Sequence, residues 1–149
     1  MESLKSYDFL TQEECDTIVN KILSLEDAVK RLGPDIYDGT SEDSLTGRYH
    51  CFNYLNVPEI NTILEPKLKE IFGPCVVQCW ANIFRQGEGI DEHRHFGGVP
   101  ENVIERHGAT GNLFLYGDPT IGTYYNLPEL SPLSVKYDNK VGELSLFTP

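Results

Sequence analysis

Long apolar runs are missing from this chain: no stretch approaches the roughly 20 consecutive apolar residues that a membrane-spanning helix needs. The N-terminus, Met1-Glu2-Ser3-Leu4-Lys5-Ser6-Tyr7-Asp8, has no basic region followed by an apolar one, so no secretory signal is read there and a cytoplasmic location is expected. Basic residues are scarce. Twelve Lys and Arg stand against 23 Asp and Glu, a formal net charge of −11. Phosphate binding relies on clustered cations, so this balance disfavours nucleic acid and anionic membranes as main partners. An anionic small molecule needs only one or two placed cations and stays allowed. Cys-x-x-Cys spacing is absent: Cys15, Cys51, Cys75 and Cys79 read as free thiols in a reducing compartment. Internal repeats and low-complexity tracts are absent as well, and 149 residues are enough for one core, so a single domain over residues 1–149 is expected.

What is present falls into two halves. Phe9 to Gly33 reads as a helix with both ends marked, Thr11 and Glu14 forming a capping box and Gly33-Pro34 a stop. Cys15, Ile18, Ile22, Leu25 and Val29 recur at helical spacing and predict one buried face. Pro34 to Gly47 is polar and lacks the Gly and Glu of a calcium loop. The aromatic-rich Arg48 to Leu55 predicts a strand, with His50 a structural or surface residue. Pro58 to Phe72 predicts a second helix that kinks or divides near Pro66 and packs through Ile60, Leu64 and Leu68. From Cys75 onward the chain turns to short β-prone runs punctuated by Gly, Pro, Asn and Asp: Val76 to Arg85, Asn112 to Tyr116, Gly122 to Tyr125, Leu133 to Tyr137 and Glu143 to Phe147. The turn residues Asp138-Asn139-Lys140 make the last two strands a hairpin or a tight corner. The fold class is α+β, mainly β, with two helices over residues 1–74 supporting a sandwich- or barrel-like part over residues 75–149.

Chemistry concentrates in Gly87-Glu88-Gly89-Ile90-Asp91-Glu92-His93-Arg94-His95. In a strand His93 and His95 would share a face with Cα atoms about 7 Å apart, close enough for two imidazoles to converge on one ion. An isolated His-x-His is more often a pair of surface histidines, so the surrounding chain decides. Asp91 shares their parity and is a fallback ligand. Trp80 and Phe84 read as core, and Arg85 and Arg94 as exposed.

Taken in order, Phe9 to Cys15, Trp80-Ala81-Asn82-Ile83-Phe84-Arg85-Gln86-Gly87 and His93-Arg94-His95 resemble the Fe(II)- and 2-oxoglutarate-dependent dioxygenases, the prolyl-hydroxylase-like and phage or marine-bacterial branches most of all. In that family His-x-Asp/Glu follows a strand ending in Gly, with the His six residues after the Gly, as His93 is after Gly87. Asn112 to Asp118 is similar to the next core strand, Gly122-Thr123-Tyr124 to a Gly-Gly-x-Thr element, and Gly142 to Phe147 to the strand leading to the distal histidine. The resemblance implies a double-stranded β-helix, or jelly roll, buttressed by two N-terminal helices. It implies Fe(II) held by His93 and His95, 2-oxoglutarate as cosubstrate, and hydroxylation of a small-molecule or peptide substrate. It also places Tyr116 as a donor to the far carboxylate of the oxo acid and Asn82 beside it; Tyr116 reads equally well as a half-buried strand aromatic.

Two departures accompany it. His95 stands where the family carries Asp or Glu, and the chain reaches Pro149 before a distal His and the anion-binding Arg would fall. His107 is the one substitute ligand, and a C-terminally incomplete enzyme is the expectation, since a jelly roll ending here leaves a strand edge unpaired. The first alternative is a cupin-type metal protein using His93, His95 and Glu101, because Gly87, His93, His95, Glu101 and Gly108 nearly follow that motif. The second is a non-catalytic jelly-roll binding module. A homodimer is left open.

Overall fold

The computed structural model describes residues 4–32, 52–90 and 109–147. They form two α-helices and five strands, an α+β arrangement with antiparallel pairing throughout. The chain divides into two compact units, one made of Met1–Asp16 with His93–Pro149 and the other of Thr17–Glu92.

The helix α1 spans Gln12–Lys30. Its start is the expected capping box: the Thr11 amide donates to Glu14 Oε2 (2.9 Å) and the Glu14 amide to Thr11 Oγ1 (3.2 Å), satisfying two otherwise orphaned donors. Cys15, Ile18, Ile22 and Val29 are buried as the spacing predicts. The helix α2 spans Pro58–Phe72 and ends at Gly73, whose φ is 69°. It runs through Pro66 as one helix and does not divide into two. Pro66 follows two full turns that are already closed, so its missing N–H removes one bond while the buried Ile60 and Leu64 hold the face in place. Lys21 and Glu59 form an ion pair of 3.2 Å between the two helices.

Residues 54–56 form a 3-10 turn rather than the end of a strand. Asn53 explains the difference: its Oδ1 accepts from the Leu55 amide at 3.1 Å, and this local bond turns the chain out of the extended form.

In the β-rich unit, β1 (Leu4–Asp8) and β2 (Thr110–Leu113) flank β5 (Glu143–Phe147) on either side. Leu4 lies opposite Phe147 and Asp8 opposite Glu143, while Leu113 lies opposite Leu144. One edge of β5 is taken by β1, a strand without turn signals of its own. A second, two-stranded sheet joins β3 (Thr123–Tyr125) to β4 (Val135–Tyr137), with Tyr125 opposite Val135. Between β4 and β5 the Asp138-Asn139-Lys140 segment is thus a corner between sheets and not a hairpin. Leu4, Tyr125 and Leu127 form the core here, with Leu130, Tyr137 and Phe147 packed against them.

Gly142 locks this unit. Its carbonyl accepts from the Phe9 and Leu10 amides (2.9 Å each) and its amide donates to Phe114 O (2.8 Å). Its φ is 84°, and a Cβ there would run into Leu10 O. Only glycine meets both demands.

Candidate functional site

The segment leading toward the histidine pair, residues 76–85, belongs to no strand among the described residues. It was expected to be a strand, and β-prone composition alone did not supply a ladder. Asn53 stands in for one. Its Nδ2 donates to Val77 O (3.1 Å), its Oδ1 accepts from the Cys79 amide (3.2 Å), and beside it the Tyr54 amide donates to Cys79 O (2.8 Å). Phe84, expected in the core, is 48% exposed, and Trp80 is half-buried.

At the end of this segment the chain reverses. The Glu88 amide donates to Arg85 O (2.9 Å) while the Arg85 amide donates to Glu88 Oε2 (2.8 Å). Gly87 has φ 83° at the third position of the turn, where a type II turn takes glycine because other residues resist positive φ. The arginine is exposed, as expected, and its guanidinium is ion-paired as well. Its Nη1 and Nη2 donate to Glu26 Oε1 (2.7 Å) and Oε2 (2.8 Å), a forked pair that anchors the turn to α1. Glu26 is only 9% exposed, and the Arg85 guanidinium holds its carboxyl below the usual value, outweighing the burial that pushes it up. One signal for this pair was available: Glu26 lies four residues after Ile22, a charge on the buried stripe of α1.

Next to it lies Tyr54, 2% exposed, whose hydroxyl has no hydrogen-bond partner among the described residues. Burial, with the Cys79 thiol and Glu26 adding to it, pushes this phenol up to about 12. Burial also pushes the Cys79 thiol up to about 11. Both groups are neutral near pH 7, so neither offers a ready nucleophile. The Phe52 ring meets Tyr54 edge-on at 5.0 Å.

Of the residues assigned to the site from sequence, His93 and His95 lie outside the described residues, as do Asp91, Glu101, His107 and Arg94. Asn82 is exposed on the 75–85 segment. Tyr116 is 79% exposed, past the end of β2, so it is not the half-buried strand aromatic that was the rival reading. It opens the turn through Gly117 and Asp118. There Asp118 Oδ1 accepts from the Thr120 amide (2.9 Å) and hydroxyl (2.7 Å), which lowers its carboxyl pKa. Asn82 and Tyr116 belong to different units. Among the described residues no group of three His, Cys, Asp or Glu is placed to hold a metal, and no helix is long and apolar enough to cross a membrane. Comparison of the chain with protein-family models, with curated proteins and with solved structures finds no match.

Proposed function

We propose that this chain is an Fe(II)- and 2-oxoglutarate-dependent oxygenase of jelly-roll type that hydroxylates a small-molecule or peptide substrate through a metal held by His93 and His95. The observation that carries the reading is the interval from Gly87 to the histidine pair. Glycine is required at Gly87 by a turn with positive φ, and the turn is pinned by Arg85 and Glu88, so the motif begins at a fixed point in the chain. The antiparallel pairing of both sheets is compatible with a jelly roll.

Two neutral imidazoles are a suitable partial donor set for iron, leaving positions for an oxo acid and dioxygen. When bound, the metal supplies the Lewis acid and the redox centre for the oxidation. His93 and His95 must stay unprotonated to bind it. Tyr116, which is exposed, is the proposed donor to the distal carboxylate of the oxo acid.

Anaerobic titration of the full chain with Fe(II), followed by 2-oxoglutarate, tests this. The expected result is stoichiometric iron and an absorbance change on adding the oxo acid, both lost in His93→Ala and His95→Ala. Tyr116→Phe keeps the iron and weakens the oxo acid about tenfold, the loss of one hydrogen bond to a charged group. Metal bound without a response to 2-oxoglutarate and lost in Glu101→Ala would replace this reading with the cupin-type site. Metal binding unchanged in His93→Ala would remove both and leave a non-catalytic binding module.

A further inference from the structure

We draw no further inference here: the strongest candidate, the cavity of about 170 Å³ beside α2 lined by Leu55, Leu68 and Val77 with Glu65, Lys69 and the exposed Cys75 at its rim, carries nothing because Glu65 and Lys69 already neutralise each other at 2.6 Å and nothing in the structure shows what would occupy it.

Discussion

In the β-rich unit strand pairing joins distant parts of the sequence by main chain, with side-chain bonds such as Lys140 to Asp8 added to it, whereas the helical unit adds the side chains of Asn53 and Arg85 to the backbone bond from Tyr54 to Cys79. Ser6 and Ser145 face each other across paired strands although 139 positions separate them, and Gly142 gathers three further backbone bonds at one residue. In the other unit the Asn53 amide, the Arg85–Glu26 ion pair and the backbone bond from Tyr54 to Cys79 are among the bonds that hold residues 75–90. Backbone joins distribute the energy over many bonds of about 1 kcal/mol each, and side-chain joins concentrate it in one or two. The first unit should accordingly tolerate most surface substitutions along its strands and fail at its glycine. The second should fail at named polar residues.

The largest effect is expected at Gly142. Gly142→Ala adds a Cβ against Leu10 O at a backbone angle that L-residues avoid, and should cost about 4 kcal/mol. Urea unfolding measures the loss, and amide exchange should speed up across β1, β2 and β5 while the Tyr54 and Cys79 amides stay protected. Uniform acceleration in both units would erase the distinction between them.

Next comes the ion pair. Arg85→Met leaves the Glu26 carboxylate buried without its partner and should cost about 3 kcal/mol at pH 7. Adding Glu26→Gln should recover most of the loss, since the buried charge is gone. The sign with pH is fixed by the depressed Glu26 value: in the wild type the pair's contribution is complete above the ordinary carboxyl value of 4.5 and is lost as pH falls through the lower folded one. In Arg85→Met burial, which raises the carboxyl, is opposed only by the lesser attraction of Lys30, so the carboxyl rises relative to the wild type and acid relieves the variant. The stability gap between the two proteins should therefore narrow from pH 7 to pH 4. A constant gap would mean that Arg85 acts through packing alone.

The same contrast decides what could be read in advance. α1 was legible because its signals are local: Thr11 and Glu14 are three apart and the buried stripe repeats every turn. β2 to β5 were found, within two or three residues at their ends, because Gly, Asn and Asp punctuate them. Their partners were not, since pairing depends on residues far away. β1, Leu-Lys-Ser-Tyr-Asp, has no hydrophobic alternation, and it acquires its structure from β5. Residues 75–85 misled for the converse reason. Their β-branched and aromatic side chains suit a strand, yet Val77 and Cys79 bond to the side chain of Asn53 and the amide of Tyr54. Asn53 carries no local signal of its role, standing between Phe52 and Tyr54. Of the site, the turn at Gly87 was legible and the histidines it precedes lie outside the described residues.

Smaller effects sharpen the side-chain half of the comparison. Asn53→Ala strands the Leu55 and Cys79 amides and the Val77 carbonyl, and should cost about 2 kcal/mol with faster exchange confined to residues 54–80. Asn53→Asp keeps both accepted bonds and turns an oxygen toward Val77 O, so it should lie between wild type and Ala. Equal losses in the two variants would show that the donation to Val77 carries the whole join.

Tyr54→Phe is expected to have the smallest effect at neutral pH and the most diagnostic one in base. The hydroxyl is buried with no partner among the described residues, so removing it should be neutral or stabilise by up to about 1 kcal/mol. The folded protein holds this phenol at about 12 while an unfolded tyrosine ionises near its ordinary 10, so the unfolded state loses its proton first. The Tyr54 contribution should be level below about pH 10 and fall between about 10 and 12 by an amount on the order of 2 kcal/mol. Cys79, held at about 11 by burial, adds an earlier slope from about 9 that both proteins share. The difference between wild-type and Tyr54→Phe stabilities should therefore be flat up to pH 10 and then widen in favour of the variant. If it stays flat to pH 12, the hydroxyl has a partner that lowers its pKa back to the ordinary value, and the helical unit is closed at Tyr54 by a further side-chain bond of the same kind as those at Asn53 and Glu26.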